Sequence, residues 1–185
     1  MTTYDPRLLR LVDRKHPVLR MVAQAVPVVN GEVRGVVRAM VEVMLRHNGV
    51  GLAAPQLGVP WRIVVVRQLP AVVGVPVSPD DHRVGTYINP VLIGQSDDLV
   101  AAYEGCLTLR GVVREIARPR SVMIEAIDFD GAPLGPHPLS GFAARVVQHE
   151  CDHLEGKLIT DHPDAGAERV VSAAGVLRGK AGGGA

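Results

Sequence analysis

The spacing of apolar residues predicts an amphipathic helix over residues 32–47. Apolar side chains recur there in alternating steps of three and one, which places all seven on one helical face: Val33, Val36, Val37, Met40, Val41, Met44 and Leu45. Charged side chains occupy the opposite face, and the pair Asn48-Gly49 provides a stop signal. We therefore expect the two methionines of this helix to be core residues.

Three shorter apolar runs predict β-strands, at residues 62–67, 84–89 and 121–129. The last run alternates between two faces and ends at the turn signal Asp130-Gly131. Two groups of prolines predict loops, one over residues 69–82 and one marked by Pro133, Pro136 and Pro138.

A second helix is predicted between Ser140, a favourable N-cap residue, and Gly156, a favourable C-cap residue. A weaker pattern predicts a further helix at 167–177. The order of helix, strands and helix favours an α+β fold in which mainly antiparallel sheets pack around the second helix. We expect a single catalytic domain over residues 1–178, followed by a flexible Gly/Ala-rich tail at 179–185.

Composition narrows the classes of protein that this chain can belong to. The 185 residues carry 20 Lys+Arg against 19 Asp+Glu, and aromatic side chains make up only 3%. This balance argues against a nucleic-acid binder, which would show a basic excess or a stacking platform. No uncharged stretch reaches the roughly 20 residues of a helical membrane span, and the charged N-terminus lacks the core of a signal peptide. We expect a cytoplasmic protein without disulfides.

The second helix contains the pattern His-Glu-x-x-His at His149, Glu150 and His153. Histidines four residues apart lie on one helical face and can bind one metal ion. The glutamate between them lies beside that ion and can exchange a proton with bound water. A solvated helix face is the alternative, because such a pentapeptide also arises by chance.

A third metal ligand has several candidates. The extended metalloprotease pattern fails because Ile159 stands where a third histidine would be needed. Glu168 lies in a weakly patterned region, and His162 follows the helix in a loop-like sequence. Cys106 can supply a thiolate, although a lone cysteine is more often a small buried apolar residue, as we expect for Cys151.

A glycine-rich segment, residues 49–56, follows the first helix directly. Its glycines allow close approach of the backbone to a ligand, and the amide of Gln56 can stabilise a developing oxyanion. The Lys-Ser/Thr ending of a phosphate-binding loop is missing.

Taken together, three segments resemble the motifs of the peptide deformylase family. They are Gly-x-Gly-x-Ala-Ala-x-Gln at 49–56, Glu-Gly-Cys-x-Thr at 104–108 and Gln-His-Glu-x-Asp-His at 148–153. The resemblance extends over residues 14–160. Thr108 stands where the family usually has serine; it keeps the hydroxyl, so we expect little loss.

The resemblance implies a hydrolase that removes the formyl group from the N-terminal formyl-methionine of new bacterial polypeptides and releases formate. It implies one divalent metal ion held by Cys106, His149 and His153, with Fe²⁺ preferred and Zn²⁺, Ni²⁺ or Co²⁺ able to substitute. The implied partners are formyl-methionyl nascent peptides, with transient proximity to the ribosome and no nucleic acid or membrane contact by the chain itself.

The resemblance also assigns roles to individual residues. Glu150 is the expected acid–base group, while the Gln56 amide and the Leu107 N–H stabilise the oxyanion. The backbone of Val50 and Gly51 is expected to pair with the peptide as an added strand. Phe142 and Val146 are expected to contact the methionine side chain of the substrate.

Two structural expectations and two alternative functions complete the sequence analysis. Glu104 is expected to pair with Arg118 in support of Cys106, and Asp152 either orients neighbouring groups or is a solvated helix position. A metallopeptidase with a different third ligand is one alternative function. A catalytically silent peptide-binding relative is the other.

Overall fold

The computed structural model describes residues 4–67 and 84–163, together with the backbone of two short strands nearer the C-terminus. The predicted loop at 69–82 lies outside the described residues, as do residues 180–185 of the predicted tail. The domain boundary at residue 178 stays a prediction.

The described residues form two α-helices and two antiparallel sheets. The helices are α1 (Gly31–Arg46) and α2 (Gly141–Leu154), and the strands are β1 (Gly51–Ala53), β2 (Ile63–Arg67), β3 (Val84–Gln95), β4 (Leu99–Gly105), β5 (Val112–Pro119), β6 (Ser121–Ile127), β7 (Pro133–Ser140), β8 (Arg169–Val171) and β9 (Leu177–Gly179). One sheet has the order β1-β2-β3-β6-β7 and the other has the order β4-β5-β8-β9. Helix α2 packs against strands of both sheets, which confirms the predicted α+β class with a central motif-bearing helix.

Helix α1 forms because its apolar face enters the core while its first turn is capped. The Asn30 side chain accepts a hydrogen bond from the N–H of Val33 at 3.0 Å. Met40 and Met44 are completely buried, as predicted. Burying such a side chain contributes roughly 1.5–3 kcal/mol to folding.

Both helices end in the same hydrogen-bonded motif. Asn48 after α1 and Gly156 after α2 adopt left-handed backbones, with φ of 54° and 69°. The next N–H in each case, of Gly49 or Lys157, returns to a carbonyl of the last turn at 2.8 Å or 2.9 Å. Gly156 therefore lies one position beyond the C-cap residue Glu155 and is not itself the cap. Because α1 ends abruptly, the chain turns at once, and the glycine-rich segment enters β1 beside α2.

Six of the nine described strands were not predicted as strands, among them β4 and β5, and one predicted strand is longer than expected. Strands β4 and β5 form a hairpin in which alanines interrupt the apolar pattern of β4 and charged residues interrupt that of β5, so no alternation marks them. Strand β3 continues past its predicted end at residue 89. Asn89 has a φ of 52°, and the register of the pairing with β6 shifts at this point, so the strand can continue beyond it.

Two predictions about irregular and helical segments were wrong. Pro133, Pro136 and Pro138 lie in β7, not in a loop. Strand β7 is at the edge of its sheet, where ladder partners are needed on one side only, so proline is tolerated. Within the predicted helix at 167–177, residues 169–171 form β8, which pairs with β5; the sheet contact overrides a weak helical pattern. Of the described helices, neither has the length and apolar character needed to cross a membrane.

Candidate active site

The structure brings together three side chains that can bind a metal ion, at the junction of the two sheets. Cys106 follows β4 directly, whereas His149 and His153 lie one turn apart on α2. Their ligand atoms lie within 4.8 Å of one another, and Sγ of Cys106 is 3.3 Å from Nε2 of His153. One thiolate and two imidazoles leave a fourth position of a tetrahedral ion open, so the donor set fits a catalytic metal.

The cluster favours the thiolate form of Cys106. Burial alone would raise the pKa of this thiol, but its interactions with His149 and His153 lower the pKa to about 4. A thiolate is the form that binds a metal ion. The electrostatics of the site therefore agree with a ligand role for this cysteine.

A buried carboxylate fixes the orientation of His149. Oε2 of Glu104 lies 2.9 Å from Nδ1 of His149, which leaves Nε2 of the ring for the cluster. Burial lowers the pKa of His149, but the interactions with Cys106 and Glu104 outweigh it and raise the pKa to about 10. The carboxylate thus supports a histidine, where the sequence had predicted support for Cys106.

Arginines hold the Glu104 carboxylate in place. Arg118 donates from Nε at 2.7 Å and from Nη2 at 2.9 Å, which confirms the predicted pair. Arg145 donates to the same carboxylate at 2.6 Å. Burial would raise the pKa of Glu104, but its hydrogen bonds to His149 and Arg118 lower it to about 2. Oδ2 of Asp152 lies 2.9 Å from Nη1 of Arg118. Asp152 therefore orients a neighbouring group, which was one of its two predicted roles.

Glu150 lies beside the cluster with almost no exposure to solvent. Its side chain is 4% exposed, and Oε2 has no hydrogen-bond partner among the described residues. Burial raises the pKa of this carboxyl group, although the charges of His149 and His153 oppose the change. A buried carboxylate with a free oxygen next to a metal site can accept a proton from water.

The amide of Gln56 points its donor end at the cluster. Oε1 accepts a hydrogen bond from the N–H of Ala53 at 2.8 Å, which fixes the orientation of the amide. Nε2 then donates to the Thr108 hydroxyl at 3.2 Å and lies 3.5 Å from Sγ of Cys106. The Thr108 hydroxyl is itself 3.1 Å from that sulfur. The hydroxyl retained at position 108 therefore takes part in the site.

Comparison with known proteins agrees with this geometry. A family model described as polypeptide deformylase matches residues 8–168. The chain belongs to the polypeptide deformylase family. A peptide deformylase of Pseudomonas aeruginosa is 37% identical over 155 residues, which cover 84% of this chain and 86% of the relative.

Solved deformylase structures share the fold. A peptide deformylase from Synechococcus elongatus, in complex with actinonin, has a TM-score of 0.76 at 32% identity and covers 85% of this chain and 82% of its own. A plant peptide deformylase has a TM-score of 0.77 at 31% identity, with coverage of 89% and 85%. The predicted enzyme class is confirmed, and the metallopeptidase and silent-binder alternatives gain no support from these relatives.

The deformylase motifs enclose a cavity of about 400 Å³. Of the residues predicted to bind substrate or stabilise the oxyanion, all line it: Val50, Gly51, Gln56, Leu107, Phe142 and Val146. Val146 is buried, whereas Phe142 is 54% exposed. Tyr103 and Arg145 also line the cavity but were not predicted. The position of Arg145 on the face of α2 shared with His149 was the signal available in the sequence.

Of the remaining ligand candidates, the described residues place His162 outside the cluster. His162 contacts Asp152 at 2.7 Å, and Glu168 lies outside the described residues. Cys151 packs against a core cluster, and burial raises the pKa of its thiol to about 12. The two cysteines of the chain thus have opposite electrostatic environments, as their predicted roles require.

Proposed function

We propose that this deformylase hydrolyses the formyl amide of N-terminal formyl-methionine on newly made polypeptides. The observation that carries the proposal is a Cys/His/His cluster with a buried carboxylate beside it, in one cavity. The reaction adds water across the amide: a C–O bond forms, the C–N bond breaks, and formate and a free amine are released.

Cys106, His149 and His153 would hold one divalent ion, which we propose to be Fe²⁺, with Zn²⁺, Ni²⁺ or Co²⁺ as substitutes. When bound, such an ion polarises a carbonyl group and lowers the pKa of water. A mixed sulfur and nitrogen donor set suits each of these metals.

The chain's own residues handle the proton and the developing charge. We propose that Glu150 accepts the proton of the attacking water and passes it to the leaving nitrogen. The Gln56 amide and the Leu107 N–H donate hydrogen bonds to the oxyanion as the carbonyl carbon becomes tetrahedral. The free Oε2 of Glu150 and the fixed amide of Gln56 support these roles.

The peptide is proposed to bind along β1, the edge strand of the five-stranded sheet. An edge strand offers backbone groups on its open side, so a peptide can extend the sheet by pairing with Val50 and Gly51. Phe142 and Val146 on α2 would then contact the methionine side chain. Recognition through the main chain suits a substrate whose later residues vary.

The substrate also suggests where the enzyme works. Formyl-methionyl chains emerge from bacterial ribosomes, so we propose a cytoplasmic bacterial enzyme that meets nascent peptides with transient proximity to the ribosome. Neither a nucleic-acid contact nor a membrane contact by the chain itself is part of the proposal.

The test is formate release from formyl-Met-Ala by the iron-loaded protein under anaerobic conditions. We expect turnover that scales with metal content. Full metal occupancy without formate would overturn the proposal and favour the silent peptide binder.

Metal content of two variants separates the deformylase from a metallopeptidase. We expect Cys106→Ser to lose most of the bound metal, while His162→Ala, the matched control outside the cluster, keeps it. The opposite pattern would contradict the proposed ligand set.

A further inference from the structure

Arg145 introduces a positive charge into the wall of the active-site cavity. It lies on α2 three residues after Phe142 and four before His149, so these side chains share one helical face. It lines the cavity together with Phe142 and Val146, the two residues proposed to contact the methionine side chain. A cationic side chain therefore borders the apolar side chains of this part of the wall, and the carboxylates of Glu104 and Glu150 line the same cavity.

The guanidinium group is held rigidly. Nη1 donates to Oε1 of Glu104 at 2.6 Å and to the carbonyl of Ile116 at 3.0 Å, and Nη2 donates to the carbonyl of Val100. The side chain is 11% exposed. These contacts join α2 to β4 and β5, so the charge stays at a defined place in the wall.

The single negative charge of Glu104 faces more than one cationic partner. It therefore does not fully neutralise the positive charge of Arg145. The same carboxylate binds Arg118 through two hydrogen bonds and contacts His149. Glu104 and Arg145 both line the cavity. An incoming cationic side chain would therefore meet a fixed cation there, and like charges at short distance in a partly desolvated site repel strongly.

We propose that Arg145 is a specificity-determining residue that excludes formylated peptides with a cationic first side chain. The inference rests on the proposed deformylase function. It states that Arg145 selects among substrates by the charge of their first side chain. Neutral unbranched side chains such as those of methionine and norleucine enter the pocket, and lysine, of similar length, is rejected. Removing the guanidinium removes this repulsion, while Oε1 of Glu104 keeps its hydrogen bond from Nε of Arg118.

The experiment compares kcat/KM for formyl-norleucine-Ala and formyl-Lys-Ala, with formyl-Met-Ala as the reference. For the unmodified enzyme we expect the norleucine substrate to be preferred by about 100-fold or more, since like-charge contact costs several kcal/mol. In Arg145→Met the preference should fall by about tenfold or more, whereas Arg145→Lys, which keeps the charge, should retain it.

Two further variants separate charge selection from a structural effect. Arg62→Met removes another ion-paired arginine, which contacts Glu155 at 2.7 Å away from the cavity, and should leave the preference unchanged. Arg145→Gln keeps a donor for the backbone carbonyls without the charge, and should lose the preference even if Arg145→Met does not fold. An unchanged preference in a folded neutral variant overturns the inference. Absent turnover of formyl-Met-Ala by the unmodified enzyme would instead overturn the proposed function.

Discussion

Two walls of the active-site cavity hold their parts in place by different means. The backbone wall, residues 49–51 with Gln56, carries no charged side chain and is fixed by close packing. The charged wall, Glu104 with Arg145, is fixed by ion pairs, and Arg118, which does not line the cavity, shares the same carboxylate. A packed wall has no space for added atoms, whereas a shared ion pair keeps other contacts when one is lost. We therefore expect steep effects at the first wall and graded effects at the second.

The largest effect is expected between the walls, at Glu150. Glu150→Gln should keep the metal but lower kcat by about 100- to 10,000-fold, because the amide cannot accept the proton of water. The measurement is formate release alongside metal content. Unchanged turnover with full metal would mean that neither wall positions this base for catalysis.

The backbone wall is tested by Gly51→Ala. An added Cβ would lie 2.5 Å from Oε1 of Glu150 and 2.6 Å from Cγ1 of Val146, so the base must move. We expect kcat/KM for formyl-Met-Ala to fall by about 100-fold, the cost of a displacement near 1 Å. Gly31→Ala is the matched control, since a Cβ there meets nothing within 4 Å. Equal activity of both variants would show that the backbone wall can accommodate an added methyl group without displacing Glu150.

The charged wall is tested by Glu104→Gln. The amide keeps the shape but weakens the support of His149, so metal affinity should fall by about 10- to 100-fold. Asp98→Asn, which weakens the exposed pair with Arg120, should leave metal affinity unchanged. Titration with Zn²⁺ against a competing chelator measures both. A loss as steep as that of Cys106→Ser would contradict a graded wall.

The smallest effect is expected at Thr108, whose hydroxyl contacts the sulfur of Cys106 and the amide of Gln56. Thr108→Val removes these two hydrogen bonds at similar shape and should lower kcat/KM by about fivefold, since two weak bonds of about 0.5 kcal/mol each contribute about 1 kcal/mol together. Thr108→Ser keeps the hydroxyl and should match the unmodified enzyme. A larger loss in the serine variant than in the valine variant would assign the role to the methyl group instead.

The sequence predicted the backbone wall better than the charged wall. The helix stop at Asn48, the segment at 49–56 and the pattern on α2 are local signals, since spacing alone places them. Helical spacing places Arg145 on the face of α2 that carries His149, but its ion pair with Glu104 and the contact between Glu104 and His149 depend on how α2 packs against β4 and β5, which no local pattern records.

The same distinction applies to the fold. The buried strand β2 is a continuous apolar run and was predicted, whereas the edge strand β7 contains three prolines and was taken for a loop. In strands at the margins of sheets, pairing partners far along the chain decide the structure, so a reading of single segments misses them.

The convergence of Cys106 and His153, 47 positions apart in sequence, has a consequence for stability. One ligand follows a strand of the smaller sheet and the other lies on the central helix, so the full donor set exists only when these elements have docked. An ion that binds this set and not the unfolded chain adds its binding free energy to that of folding, about 4.1 kcal/mol at a concentration 1,000 times its Kd. The metal concentration therefore sets part of the free energy of unfolding of this enzyme. Removing the metal would lower its melting temperature as well as its activity.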